Sequence, residues 1–407
     1  MIDIIYKKKN KCTMCEACSN ACPVSAISFH TDENGFEYPA INKDRCIECG
    51  LCQKVCMTRN GVSFHGVLDA KAVVLKDIDN LLKSSSGGLF FGLAKQIIDE
   101  NGVVFGAKTE IDEDGLRVVH DKAERVIDLA SLQGSKYSRS DIGSSYKEAE
   151  VFLKGGKKVL FTGTPCQIAG LYNYLGKDYE NLITADVVCH GVPEQKLFRD
   201  YLDFLGEQKN GRVVEFCFRD KKYGWGHICG EYVVEKKNGK RKKYKHPSML
   251  SSYHSLYLKG YTIRENCYEC LFAQGDRVSD ITMGDYWGIH KIHSSFLREY
   301  KIEPKRGVSC LLLNTTKGKN LFEKVKKQFY IMNSTIEQVR KNNGRLNTPT
   351  EKKADNPYIK QKTYKSKDRL FWKNNSRMRL KRKYLKKRIK MMIPQYLKSK
   401  IKRSGNK

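Results

Sequence analysis

The chain has 407 residues, 40% of them hydrophobic and 29% charged, with 75 Lys and Arg against 45 Asp and Glu. That length leaves room for two or three domains, and no run approaches the roughly 18 apolar residues of a spanning helix, which excludes an integral helical membrane protein. The net charge of +30 is unevenly placed: residues 351–407 hold 22 Lys and Arg against Glu351, Asp355 and Asp368, which leaves +11 for the rest.

The first residues, MIDIIYKKKN, have no apolar core of signal-peptide length. The expected location is cytoplasmic, at most peripheral to the inner membrane face, and reducing conditions there suit the 15 cysteines. Residues 1–65 carry one cysteine pattern twice. Cys12, Cys15, Cys18 and Cys22 precede Pro23, and Cys46, Cys49, Cys52 and Cys56 repeat the spacing 34 residues later. Cys-x-x-Cys-x-x-Cys-x-x-x-Cys is the bacterial ferredoxin run for 4Fe–4S clusters, in which the fourth cysteine of each run serves the other cluster. The expected ligand sets are therefore Cys12, Cys15, Cys18 and Cys56 for one cluster, and Cys46, Cys49, Cys52 and Cys22 for the other. Zinc sites use paired Cys-x-x-Cys rather than triplets with a trailing fourth, and a disulfide framework needs an oxidising compartment. Met57 replaces the proline of the first copy, a position that is not a ligand. Between the copies, AISF, a turn at Asp32–Gly35 and FEYPAI read as a hairpin.

Residues 68–150 open with the strand-like DAKAVVLK. Ser84-Ser85-Ser86-Gly87-Gly88 then leads into LFFGLAKQIIDE, apolar at helical spacing and closed by Asn101-Gly102. Two strands, VVFGAK and LRVVH, flank an Asp-Glu-Asp-Gly turn, and Gln133 to Ser140 reads as a polar loop. In residues 151–205, Lys157–Phe161 is a short strand, TGTPC a tight loop, QIAGLYNYL a helix and ITADVVCH a second strand. This alternation predicts parallel pairing through a crossover helix, with Cys166 and Cys189 at carboxyl ends of strands, where ligands bind. Residues 206–345 mix the strands RVVEFCF, EYVVEK and VSCLLL with turns and a cysteine-rich loop. Residues 350–407 are basic, and Met378, Leu385, Ile389, Met392, Tyr396 and Leu397 give an amphipathic helical pattern broken at Pro394. Such a helix suits an anionic membrane surface, a solvated tail is the plain alternative, and no nucleic-acid fold is recognised.

Seven cysteines remain. Cys166, Cys189, Cys267 and Cys270 sit in loop-like contexts and supply the four thiolates of a third 4Fe–4S cluster, whereas Cys267 and Cys270 alone would be half a zinc site. Cys217, Cys229 and Cys310 lie in or near apolar strands and are expected to pack as small hydrophobes. Ser84–Gly88 at a helix start is the best anion site, with an ordinary N-cap as its bland reading, and Gly163 with Thr164 shares that ambiguity. Lys136 and Tyr137 suit a flavin ring or its diphosphate, or a solvated loop. Arg277, Asp280, Asp285 and Trp287 form a dense polar and aromatic group, with Phe218-Arg219-Asp220 and Gly224-Trp225-Gly226 as weaker echoes. His190 is placed to relay a proton, although a structural histidine is the commoner case. No catalytic acid or base is assigned.

In this order, Ser85-Ser86-Gly87-Gly88, GSKY, FTGTPCQIAGL, VVCHGVP, CYEC and SDITMGDYWGI resemble the coenzyme F-420 hydrogenase/dehydrogenase beta-subunit family, with a two-cluster ferredoxin fused at the N-terminus. The resemblance covers about residues 1–315. It implies an iron–sulfur flavoprotein binding FAD, or less readily FMN, with Ser86, Gly87, Gly88, Lys136, Thr164 and Asp285 as flavin contacts and Cys166, Cys189, Cys267 and Cys270 as cluster ligands. Relatives of the fused type are associated with surface polysaccharide synthesis, and a deazaflavin partner does not follow from the resemblance.

The expected architecture is a multidomain α+β / α/β chain. A two-cluster ferredoxin domain fills 1–65, the N-terminal part of the beta-subunit-like domain 68–150, its C-terminal part 151–345, and a basic helical tail 350–407. The expected function is an oxidoreductase passing electrons between a redox partner protein or reduced ferredoxin and a small organic acceptor. The alternative is a non-catalytic electron-transfer subunit docking a partner redox enzyme.

Overall fold

The doubled cysteine run folds as two matching loops in the computed structural model, which describes residues 5–226, 228–354 and 372. Met14 and Glu16 take left-handed backbone in the first loop (φ 56° and 60°), and Glu48 and Gly50 do so at the same two positions of the second (φ 56° and 72°). For a residue with a Cβ this conformation costs about 1–2 kcal/mol, so its recurrence at both copies marks a shape the loops must hold. A short helix follows each loop, Ala17–Ala21 and Leu51–Lys54. Strands β1 (Ile27–Thr31) and β2 (Glu37–Ile41) form the expected hairpin, in register from Ile27↔Ile41 to Thr31↔Glu37.

An eight-stranded mixed sheet forms the body. Its members are β3 (Asp69–Leu75), β4 (Val103–Asp112), β5 (Gly115–Ala123), β6 (Val159–Gly163), β7 (Leu182–Val187), β11 (Ile281–Asp285), β12 (Ser309–Leu313) and β13 (Phe329–Ser334). They lie in the order β13-β3-β12-β11-β7-β6-β4-β5. The four central strands β11, β7, β6 and β4 run parallel, and every pairing outside them is antiparallel. Val104 and Leu160 face one apolar cluster while Val103, Phe105, Val159 and Phe161 face the other, the period of two expected of a sheet covered on both faces. Helix Pro165–Leu175 is the expected crossover between β6 and β7. Helix Leu89–Asp99 buries Leu89, Phe91, Leu93, Ala94 and Ile97 and closes on β13 at Gly92, where a Cβ would stand 2.3 Å from the Phe329 ring.

A separate antiparallel sheet, β8 (Gly211–Cys217), β9 (Cys229–Lys236) and β10 (Arg241–Pro247), packs with helix Gln195–Glu207 around a third apolar cluster that includes Trp372. The basic amphipathic helix expected within 350–407 otherwise falls outside the described residues. No helix among the described residues is long and apolar enough to cross a membrane.

Two local expectations need correction. Cys229 and Cys310 are buried as small hydrophobes, but Cys217 is exposed because it stands at the end of an edge strand whose alternation turns it outward. The Gln133–Ser140 segment is irregular as expected, yet Gln133, Ser138, Arg139 and Ser140 are buried, because most of their polar groups find partners inside the protein.

Three histidines are buried in neutral form. Burial holds His120 at about 4 and His254 at about 3, and, with the neighbouring His254, pushes His246 well below the ordinary value. In the unfolded chain these groups take protons near pH 6.5, whereas the fold refuses them. Their contribution is fully present above about pH 6.5 and is lost as the pH falls toward the depressed values, at up to about 1.4 kcal/mol per pH unit for each histidine. Urea unfolding midpoints should therefore drop steadily between about pH 6.5 and pH 4.5, and a flat profile over that range would contradict the assignment.

Candidate functional site

The cysteines gather as three sets of four thiols. Cys12, Cys15, Cys18 and Cys56 lie within electrostatic range of one another and together wall a small enclosed cavity. Cys52 is neighboured in the same way by Cys22, Cys46 and Cys49. In the body, Cys166 neighbours Cys189 and Cys270, and Cys267 neighbours all three. No group of His, Cys, Asp or Glu among the described residues closes on a single metal ion. An iron–sulfur cage instead takes one thiolate at each of four irons, so its ligands stand further apart than those of one ion.

The donor chemistry fits such a cage. Burial raises the free thiols of Cys15, Cys166 and Cys189 to about 12, so each would stay protonated unless a cation took the place of its proton. N–H and O–H groups already point at the sulfurs: Ala26 N to Cys22 Sγ at 3.1 Å and Gly191 N to Cys189 Sγ at 3.3 Å. The Thr58 and Thr164 hydroxyls each stand 3.1 Å from the Sγ of Cys56 and Cys166. Such contacts to cluster sulfurs raise reduction potential.

Arg277 brings the third set together. Its guanidinium forms a buried pair with Asp186 near the end of β7 (3.1 Å to both oxygens) and donates to the carbonyls of Phe272 (2.9 Å) and Gln274 (3.3 Å), just past Cys270. The CYEC loop is thus tied to the strand that leads to Cys189. Asp280 serves the same region by accepting from Thr184 N at 2.8 Å and from the Thr315 hydroxyl at 2.6 Å.

A cavity of about 610 Å³ opens at the carboxyl ends of β6, β7 and β11, walled by Gly163, Val187 and Asp285 among others. Ser86, Gly88, Lys136, Thr164 and Asp285 all reach it, together with Cys166, Cys189 and the ferredoxin-loop residues Thr13 and Met14. Gly87 lies behind the wall. Its N–H donates to Ser309 Oγ at 2.8 Å, and a Cβ there would stand 2.2 Å from the Val73 carbonyl oxygen, so its glycine serves backbone packing.

The two helix starts at the cavity differ. Helix Leu89–Asp99 has Gly88 in left-handed backbone (φ 80°) at its N-cap with no side-chain cap, which leaves its first N–H groups for an anion. Helix Pro165–Leu175 is capped from within: Gln167 Oε1 accepts from Thr164 N at 3.0 Å, and the Thr164 hydroxyl lies against Cys166 Sγ. Lys136 is half-buried rather than fully solvated. Its ammonium donates to the carbonyls of Ser131 (3.1 Å), Leu132 (3.0 Å) and Gln133 (2.8 Å), and burial lowers it to about 7. Asp285 receives Arg219 (2.7 and 3.3 Å) and the Trp225 indole N–H (2.6 Å), and Trp225 stacks on Trp287 with centroids 4.9 Å apart. The weaker tryptophan and arginine motifs therefore join Asp285 in one aromatic and charged wall.

His190 faces the cavity with Nε2 3.2 Å from the Tyr257 carbonyl oxygen. Sequence reasoning missed His120, which also faces it. Its imidazole stacks on Phe161 and is fixed between Thr162 O and Ser140 Oγ, each at 2.9 Å. It missed Arg139 as well. That guanidinium pairs with Glu16 (2.9 Å), Glu194 (3.0 Å), Asp141 (2.8 Å) and Glu37, and Arg264 pairs with Glu194 while donating to the carbonyls of Cys12 (3.3 Å) and Glu37 (3.0 Å). Burial raises Glu16 to about 7 against the pull of Arg139. No motif marks these residues, because most of their partners lie 20 or more positions away along the chain.

Residues 156–339 match the family model for the C terminus of the coenzyme F420 hydrogenase/dehydrogenase beta subunit, and residues 11–60 match a 4Fe-4S dicluster domain. The resemblance drawn from the motifs is thereby borne out: the chain joins an iron–sulfur ferredoxin unit to a segment related to those beta subunits. It is similar to an uncharacterized protein of Methanocaldococcus jannaschii, MJ1349, with 28% identity over 201 residues, which are 42% of this chain and 55% of that protein. The chain thus spans about half the length of the curated relative it matches. A chain of the F420-reducing [NiFe] hydrogenase complex from Methanosarcina barkeri aligns with a TM-score of 0.44 and 17% identity, over 68% of this chain and 85% of that one.

Replacing Arg139 with Met should leave the carboxylates of Glu16 and Glu194 without their shared cation and destabilise the protein by about 3 kcal/mol or more. Glu16→Gln should cost less, because Arg139 keeps Glu37, Asp141 and Glu194 and the amide oxygen can accept from Ile142 N–H, so that only the bond from Gly143 N–H to the second oxygen is lost. Guanidinium unfolding of the two variants checks the order, and equal losses would contradict it.

Proposed function

We propose that the chain is an iron–sulfur flavoenzyme that exchanges electrons between a protein donor and a small organic acceptor. The observation that carries this reading is the single cavity onto which Thr13 and Met14 of the ferredoxin unit, Cys166 and Cys189 of the third thiol set and the uncapped start of helix Leu89–Asp99 all open. Its volume suits a cofactor-sized ligand.

Cys12, Cys15, Cys18 and Cys56 would hold one cluster, Cys22, Cys46, Cys49 and Cys52 a second, and Cys166, Cys189, Cys267 and Cys270 a third. When bound, the clusters supply one-electron transfer and FAD supplies the exchange between single electrons and a hydride equivalent. The protein's share is placement. Ser86 and the first N–H groups after Gly88 would hold the diphosphate, and Trp287 with the Arg219–Asp285 pair would offer the ring an aromatic and charged wall. Lys221 fixes the serine–glycine loop through the carbonyls of Leu81 (2.7 Å) and Ser86. His120 stays neutral with both nitrogens engaged, so it holds the floor of the site rather than moving a proton. Thr164 acts through Cys166 and Lys136 through its three carbonyls, which makes both positioning residues for the flavin side of the cavity.

A cytoplasmic location belongs to the same proposal and is supported by the reducing conditions that suit the 15 cysteines, while a role in surface polysaccharide synthesis rests on the resemblance alone. Protein purified without oxygen should contain about twelve irons and one flavin per chain. Cys189→Ala should lose about four irons and keep the other eight or so. About eight irons with no flavin in the unaltered protein would instead favour the relay subunit that docks a partner enzyme.

A further inference from the structure

The two ferredoxin thiol sets are unequal in their surroundings. The Cys12/Cys15/Cys18/Cys56 set is enclosed between the ferredoxin unit and the body. Cys15 lies within electrostatic range of Cys166, and helix Pro165–Leu175 approaches it so closely that a Cβ at Gly170 would stand 2.9 Å from Cys15 Cβ and 3.0 Å from its Sγ. The same helix carries Cys166 at its first turn. The Cys22/Cys46/Cys49/Cys52 set is at the outside: Cys49 is exposed, Ile47 between two of the cysteines is 61% exposed, and Leu51 is 37% exposed. Such apolar exposure around a thiol set is unexplained by the fold, since neither side chain contributes to a core cluster.

The ferredoxin unit that carries this tip is positive on balance. Residues 5–62 carry eight Lys and Arg against six Asp and Glu. Two of the six, Glu16 and Glu37, turn inward to Arg139. Outside those two inward acids the ferredoxin unit has eight cations against four anions, and at the tip itself Lys43, Arg45 and Lys54 stand against Asp44 and Glu48 in the chain.

From this asymmetry we infer that the Ile47–Leu51 tip is the docking surface for a small acidic electron-carrier protein. The inference rests on the iron–sulfur reading above and adds to it an entrance and an order. Cys22, Cys46, Cys49 and Cys52 would hold the centre that accepts one electron from the carrier, whose own centre is oxidised as this one is reduced. Cys12, Cys15, Cys18 and Cys56 would hold the centre that takes that electron on toward the Cys166 side, with no atom transferred. The exposed apolar pair gives the contact its centre, and the basic residues steer an acidic partner and fix its register. The enclosed set cannot serve as the entrance, because the body covers it.

The test uses the full chain, purified without oxygen and assayed for iron, with an acidic bacterial-type two-cluster ferredoxin as the probe in a calorimetric titration at low ionic strength. Ile47→Asp should weaken binding about tenfold, and Lys43→Glu combined with Lys54→Glu should do the same and flatten the salt dependence. Lys237→Glu combined with Lys240→Glu, on the turn between β9 and β10, should leave binding unchanged. Iron content equal to that of the unaltered chain establishes that each variant is folded and loaded. Tip variants that bind like the unaltered chain, a control pair that weakens binding as much, or no binding of the probe at all would overturn the docking surface alone. A chain that holds no iron would overturn the function reading and this inference with it.

Discussion

The relation between the ferredoxin unit and the body depends on a buried ion network. Arg139, Arg264, Glu16 and Glu194 are each at most 4% exposed, and they come from four separate stretches of chain. Charges of this kind are tolerated only when paired and hydrogen-bonded, since removing one partner strands the others at a cost of several kcal/mol. Arg139 alone faces four carboxylates, and the excess of negative charge is eased by Glu16, which burial moves toward its protonated form. The result is an interface with one satisfactory arrangement. Glu16 follows Cys15 directly and Arg264 reaches the Cys12 carbonyl, so the arrangement that satisfies the charges also fixes the first thiol set against the body.

The sheet completes that placement. Its central strands are parallel, so their carboxyl ends converge on one side, and the loops after β6 and β7 deliver Cys166 and Cys189 there. Arg277 then pulls the CYEC loop to Asp186, which completes the third set. The cavity has thiols at one side, an uncapped helix start at another and a tryptophan–arginine wall at a third. Neighbouring elements of one fold thus bring thiols, free helix N–H groups and aromatic rings to one cavity.

Much of this was legible in the residues. Cysteine spacing announced the two loops, and alternation of strand and helix announced the parallel pairing of β6 with β7. The motif residues Ser86, Gly88, Lys136, Thr164 and Asp285 do share one cavity, but sequence could not say how they are used. Thr164 and Lys136 spend their polar atoms on local partners, and Gly87 is a packing glycine. Arg139 and His120 were invisible because nothing local distinguishes a buried arginine or histidine from a solvated one. Their meaning comes from groups brought near only by the long-range pairing of strands and the seating of the ferredoxin unit. The segment around Arg139 has the composition of a surface loop and is buried nonetheless, because the charges it needs arrive from elsewhere.

The glycine at position 170 carries one more consequence. Its missing side chain is the space into which Cys15 fits, so the step between the two thiol sets is set by a helix face rather than by the linker between domains. Insertions or deletions in the segment joining the two units would leave that step unchanged. A hybrid made by grafting a foreign ferredoxin onto this body would instead need an acid at the position of Glu16 to meet Arg139, and a small contact over Gly170. Without both, such a hybrid would fold as two good halves with a broken circuit between them.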